Sequence, residues 1–496
     1  MIRLLLTMLF LPLTGALIPL SAREINSRIA EELTLRYYLE KQWDSVILIG
    51  KEALKYKIDY FHLRLRLGIA YYEKNKFIPS SLHLERAHQF NSSDTLTLHY
   101  LYYAYLFSNR PVDAAKVLKQ QQRKRPEGRI LTREILMPSL HMEGGYTFST
   151  LDKLQENPDL AGADSIYGEA DVYGNNSIIS GGFSLNPFPW MRIDLSYTRL
   201  DFTKHKYFQY GVIEDHLQTI ADSSWGKMYI WSFPRMVYDT SFTYRVSQHE
   251  FHAGVTLSAA GWKINPAFHL VKVGYPVIDA RFFSEVVHDT GYYVSYDSSW
   301  HTFPFRRTGY TFSRQDTSFT NYVVSLSLSR NYGILVPGLS ASWSNLNGKT
   351  QYQAGFSLTF YPLGNLNLYT TTGLTGFFEE DQQRLLCSQV AGGRITPWLW
   401  AEADVMYGDF TNANIANGMI VYNNTGKIGY RVGSGLLFLI TEKIRISLMY
   451  RFFRKAYQRY YFTPVTLQGG DDAYELQTEN IPFQTHSMIG GFIWKL

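Results

Sequence analysis

Alternation of apolar and polar residues runs from about residue 141 to the C-terminus and constrains the fold more than any other feature. Tyr352, Ala354, Phe356, Leu358 and Phe360 interleave with Gln351, Gln353, Gly355, Ser357 and Thr359. A period of two places the first set on one face of a strand and the second on the other. The same division recurs at Ile193, Leu195 and Tyr197, and again at Ile444, Ile446, Leu448 and Tyr450. Fourteen such segments are predicted, near 141–152, 174–185, 190–203, 244–260, 265–275, 320–331, 335–345, 350–362, 365–377, 384–395, 398–410, 426–439, 443–455 and 484–496. Short Pro/Gly-punctuated turns join the second to the third strand and then every alternate pair, whereas long connections are predicted at about 204–243, 276–319 and 456–483. An even strand count with short turns on one side and long loops on the other predicts a closed antiparallel transmembrane β-barrel. Closure has a physical cause, because hydrocarbon cannot satisfy the unpaired polar groups of a sheet edge. A soluble β-sandwich or propeller is the alternative that this asymmetry disfavours.

Composition narrows the rest. Of 496 residues, 45% are hydrophobic and 18% charged, which excludes a largely disordered chain. The formal charge of +5 is spread without a long block of one sign, so nucleic acid is excluded as a partner. A single cysteine, Cys387, excludes an intramolecular disulfide framework and any multi-cysteine metal site. Residues 1–22, with Arg3 ahead of an apolar run from Leu4 to Leu20, are predicted to be a secretory signal peptide; an uncleaved anchor is the alternative.

Between the signal and the barrel, residues 23–130 carry an internal period of 34. Leu33, Leu67 and Leu101 fall in register, as do Tyr37, Tyr71 and Tyr105, and the middle copy reads Leu67-Gly68-x-x-Tyr71. The period and these positions resemble the tetratricopeptide repeat family. The resemblance implies a short α-helical solenoid whose groove docks a periplasmic protein, or else a plug, spacer or folding cap. A basic tract, Lys119 to Arg125, closes the array and is read as a solvated helix face.

Inward positions of the predicted barrel (141–496) include Arg192, Asp194, Glu402, Asp404, Arg431, Arg445 and Arg451, with Glu143 and His252 beside them. They form either a polar track for a solute or a network of paired charges that fills the interior. The long connections carry Trp225, Tyr229, Trp231, Tyr292, Tyr293, Trp300 and Phe303, which are expected to pack the loops. No Gly-x-Ser-x-Gly elbow, phosphate loop or His-Glu-x-x-His occurs, and the 13 histidines show no metal-ligand spacing. Neither an enzyme nor a cofactor is expected.

The C-terminal Gly491-x-x-Trp494-x-Leu496 resembles the signal read by the outer-membrane assembly machinery. The whole order, signal peptide, helical repeats and terminal barrel, resembles exopolysaccharide-export outer-membrane proteins of Gram-negative bacteria. That resemblance implies an outer-membrane location in contact with lipid, helical repeats in the periplasm, and polysaccharide as a candidate partner. Against the export reading, those exporters carry many more repeats. The expected function is a transport or export channel whose repeats dock a partner; the alternatives are a non-conducting envelope scaffold and a lipid-modifying enzyme.

Overall fold

A computed structural model describes residues 25–122, 138–151, 167–213, 216–223, 226–232, 235–287, 291–294, 299–302, 305–380, 382–423, 426–466 and 472–496. The expected signal peptide lies outside these residues, as do Arg123 to Arg125 of the basic tract, Trp225 and Phe303. By its contacts the chain divides into two compact units, Met1–Ala104 and Tyr105–Leu496, so the division falls within a helix.

Six helices precede the strands: α1 (Ser27–Leu39), α2 (Trp43–Lys55), α3 (Phe61–Glu73), α4 (Phe77–Phe90), α5 (Thr95–Phe107) and α6 (Pro111–Gln122). First and second helices of each pair both begin 34 residues after those of the pair before. Asn26 caps α1, its side chain accepting from the Ile29 amide at 2.9 Å. Burial follows the repeat unevenly: Leu67 and Tyr71 of α3 are buried, as are Leu101 and Tyr105 of α5, whereas Leu33 and Tyr37 of α1 are half-buried.

Close packing between α3 and α4 rests on Gly68. A Cβ there would stand 2.5 Å from Leu84 Cγ, and the Ser80 hydroxyl donates to the Gly68 carbonyl at 2.7 Å. Gly68→Ala is therefore expected to destabilise the helical unit by about 1–3 kcal/mol through overpacking. In an open helix interior the same change stabilises by roughly 1 kcal/mol. Thermal melting of the helical circular dichroism signal of the full chain distinguishes the two signs.

Charged groups tie the helices together. Arg64 grips Asp59 through two bonds of 2.7 and 3.0 Å and donates to His83 Nδ1 at 3.0 Å. Burial pushes the His83 pKa down to about 4, so the ring is neutral and able to accept that bond. Arg66, nearly buried, pairs with Glu31 at 2.7 Å and donates to Thr34 at 3.1 Å.

The strands are β1 (Ser139–Ser149), β2 (Tyr167–Phe188), β3 (Met191–Ile213), β4 (His216–Ser223), β5 (Gly226–Ser232), β6 (Arg235–Ala259), β7 (Trp262–Val287), β8 (Gly291–Val294), β9 (Ser299–Thr302) and β10 (Phe305–Arg330). They continue as β11 (Leu335–Ser344), β12 (Gln351–Phe360), β13 (Leu368–Phe378), β14 (Gln383–Thr396), β15 (Leu399–Tyr407), β16 (Asn414–Ile415), β17 (Ile420–Val421), β18 (Ile428–Leu439), β19 (Ile444–Thr466) and β20 (Asp472–Lys495). Fourteen of them close an antiparallel barrel in the order β1-β2-β3-β6-β7-β10-β11-β12-β13-β14-β15-β18-β19-β20, with β20 pairing back onto β1. The remaining three pairs, β4-β5, β8-β9 and β16-β17, are separate two-stranded ribbons.

Each of the fourteen predicted segments coincides with a barrel strand. The three long connections need correction: most of their residues are strand. β7 and β10 pair without a slip from Trp262↔Arg330 to Val287↔Phe305, and β19 and β20 from Ile444↔Trp494 to Thr466↔Asp472. Tyr229 and Trp231 fall in β5, Tyr292 and Tyr293 in β8, and Trp300 in β9. One side of the wall is therefore tall and the other low, since β11, β12 and β13 are only 10, 10 and 11 residues long against 26 for β7 and β10.

Above the low part the tall strands pack on one another. Phe312 of β10 lies 4.9 Å from Phe208 of β3 and 5.3 Å from Phe242 of β6, centroid to centroid. Along the barrel the outer face is apolar. Leu339, Phe356 and Leu374 are cross-strand neighbours on β11, β12 and β13 and all exposed, as are Phe183, Phe251, Phe268, Leu448 and Met488. At the C-terminus Trp494 and Leu496 are also exposed, whereas Gly491 faces Glu143 and Ser447 on the inner side.

Candidate functional site: the lumen and its in-folded hairpin

Because facing residues share a face across every strand pair, the register fixes which side chains enter the lumen. Arg192 and Asp194 of β3 point inward and pair at 2.8 Å, with Ser184 of β2 donating to Asp194 at 2.5 Å. Asp404 of β15 and Arg431 of β18 also point inward and form the most buried of these pairs, at 2.6 Å. Glu402 receives the Tyr369 hydroxyl from β13. Arg445 and Arg451 of β19 lie on the same inner face, opposite Ile493 and Ser487, and among the described residues neither forms an ion pair. Glu143 faces Gly491, and His252 faces His269. Pairing thus accounts for only part of the interior charge.

The largest feature of the lumen is one the sequence reading missed. Between β15 and β18, residues 408–423 fold into the barrel, with β16 and β17 forming a miniature hairpin. Its tip carries Ala416, Asn417 and Gly418 at φ of 52°, 57° and 76°. Asn-Gly with both residues in the left-handed region makes the tight turn whose twist matches a hairpin, and Met419 N closes it on Ala416 O at 3.3 Å. Ala416 in that region is strained, and surrounding contacts hold it.

Those contacts come from the far wall. His269 of β7 meets the Gly418 carbonyl through Nδ1 at 2.6 Å, Ser325 of β10 donates to the Asn417 carbonyl at 2.9 Å, and Asn417 Nδ2 donates to the Asn265 carbonyl at 2.8 Å. The base is fixed to the near wall. Arg384 of β14 donates to the Thr411 carbonyl at 2.7 Å and pairs with Glu379, and Arg431 donates to the Tyr422 hydroxyl at 2.6 Å. Phe410 and Ala413, both fully buried, pack against Phe377, Leu386, Met406 and Phe453 of the inner wall. Anchored at base and tip, the hairpin bridges the lumen from β14–β18 to β7–β10.

Cavities lie around this bridge. One of about 580 Å³ is walled by hydroxyl groups, among them Ser327, Ser340, Ser357, Thr371 and Ser388, with Arg431 at its edge. A second of about 390 Å³ is lined by the Arg192–Asp194 pair, Glu143, His141 and His252. Among the described residues no cluster of three or more His, Cys, Asp or Glu could hold a metal. Uncharged hydroxyls and scattered charges line these cavities and can hydrogen-bond a polar solute.

Fold and lumen together define a closed antiparallel β-barrel whose polar interior is crossed by a loop of its own. No family model and no curated protein matches this chain. Among solved structures it is similar to the toluene transporter TodX of Pseudomonas putida, at 9% identity and a TM-score of 0.34, covering 73% of this chain and 90% of that one. It is also similar to Omp33 of Acinetobacter baumannii (6%, TM-score 0.30, 73% and 98%) and to a bacterial polysaccharide outer membrane secretin (10%, 0.30, 73% and 98%). With TM-scores this low, the functional reading rests on the barrel itself.

Proposed function

We propose that this chain is an outer-membrane channel for small polar solutes, narrowed by the in-folded hairpin, and that its helical unit is a tetratricopeptide-type solenoid standing in the periplasm to dock a protein partner. The observation that carries the channel reading is the two-faced wall: outward Leu339, Phe356 and Leu374, and inward Ser340, Ser357 and Thr375 in the same three strands. Such a wall suits lipid outside and water inside. Both ends of the barrel segment, Ser139 and Lys495, pair at the end where the short turns lie, which supports a periplasmic place for the preceding helices. The reading assigns the chain no catalysis.

Single-channel recording from the purified full-length protein in a planar bilayer tests it. Discrete current steps are expected; a silent protein that retains its heat-modifiable mobility on denaturing gels would mean a non-conducting scaffold. A pulldown of periplasmic proteins on the same full-length protein tests the docking.

A further inference from the structure

A third cavity, of about 490 Å³, is framed by β2, β3, β6, β7 and β10, the turn between β11 and β12, and Asn423 of the in-folded loop. Its volume is in the range of small-ligand sites, about 300–1,000 Å³. Five rings line it, Tyr173, Phe202, Tyr244, Tyr275 and Phe319. Polar groups complete the lining: the amides of Asn321, Asn345, Asn347 and Asn423, with Asp171 and Lys204.

We propose that this cavity binds a small neutral polyhydroxylated ring, a mono- or disaccharide. Several of the amides retain unused capacity. Among the described residues, Asn345 spends its carbonyl oxygen on the Tyr322 amide at 2.7 Å and keeps its two N–H donors, whereas Asn347 donates to Asn412 at 2.6 Å and keeps an acceptor. Asp171 also lines the cavity, although its Oδ1 is closed off from it, so a ligand there meets the rest of the side chain. Lys204 lies with its ammonium 4.6 Å from the Tyr173 ring centre.

Ligand classes are separated by this lining. A hydrocarbon would cover the rings but leave the amides without partners, each buried group costing roughly 1–3 kcal/mol. A strongly charged solute would meet Asp171 and Lys204 together and gain from one what it loses to the other. A sugar presents a C–H face to the rings and hydroxyls, each both donor and acceptor, to the amides and the carboxylate.

The inference names the solute class of the channel proposed above and rests on that reading for its role in transport, though not for binding itself. Isothermal titration of the detergent-solubilised full-length protein with maltose, N-acetylglucosamine, toluene and glutamate tests it. Saturable binding of a saccharide is expected, weakened at least tenfold in Asp171→Asn and in Tyr275→Leu, with heat-modifiable gel mobility confirming that each variant folds. No saturable heat from either saccharide, tighter binding of toluene or glutamate, or undiminished saccharide binding in both variants would overturn it. Bilayer recording on the same preparation keeps the two readings apart, since saccharide binding without current sinks only the channel, and current without saccharide binding sinks only this site.

Discussion

Replacing residues 412–421 by a short Gly-Ser linker is expected to raise single-channel conductance severalfold. The hairpin is the one described segment that reaches from β14–β18 to the far wall, and deleting it removes the contacts of Gly418 with His269 and of Asn417 with Ser325 and Asn265. Its base is already drawn together, the Thr411 hydroxyl donating to the Gly426 carbonyl at 3.3 Å and accepting from the Ile428 amide at 3.3 Å, so a short linker can close it. The barrel register does not depend on it: β15 and β18 pair from Leu399↔Phe438 to Tyr407↔Tyr430 without using residues 408–427. Deletion should therefore leave the heat-modifiable mobility of the barrel intact. An unchanged conductance in a well-folded deletion variant would show that current is limited elsewhere, for instance where Phe208, Phe242 and Phe312 meet.

Placing an arginine on the outer face should cost far more than placing one inside. Phe356 lies midway along the ten residues of β12, exposed between Leu339 and Leu374. Phe356→Arg puts a charge at the middle of a strand just long enough to span hydrocarbon, and about 2–4 kcal/mol of stability is expected to be lost. Ser357→Arg, one residue along, opens into the hydroxyl-lined cavity of about 580 Å³ and should cost less than about 1 kcal/mol. Urea titration of refolding into lipid vesicles measures both. Equal penalties at the two positions would mean that the wall does not separate lipid from water, and the channel reading would fall with it.

Strand positions were legible in the sequence because one-sided burial writes a period of two. Where burial is no longer one-sided the signal fades. Residues 305–319 of β10, FRRTGYTFSRQDTSF, alternate poorly and look like loop, yet they pair residue by residue with β7. Beyond the low part of the wall, backbone pairing continues with water on much of the surface, so side-chain chemistry is released from the alternation. The helical period was readable for a related reason: Leu67, Tyr71, Leu101 and Tyr105 are buried, and burial restricts what can stand there.

The lumen was legible only as a face. Alternation suffices to orient Asp404 and Arg431 inward, but their pairing depends on the β15–β18 register, in which Asp404 opposes Gly433 and leaves room for a diagonal contact. The in-folded hairpin did carry a local mark, Asn417-Gly418 between Ile415 and Ile420, a hairpin signal overlooked among longer segments. Its direction of folding had no such mark. It depends on His269 and Ser325, 149 and 92 residues away, meeting main-chain carbonyls that any residue could provide.

The seam between β1 and β20 has a consequence for how this molecule is made. Ser139 is opposite Lys495, and Thr147 shares a hydrogen bond of 2.8 Å with Ser487, so the first and last strands are each other's missing neighbours. Until β20 docks on β1, the sheet has two open rims, and every partly assembled form is a candidate for pairing with the wrong chain. Sealing thereby waits on β20, the strand that also carries the exposed Trp494.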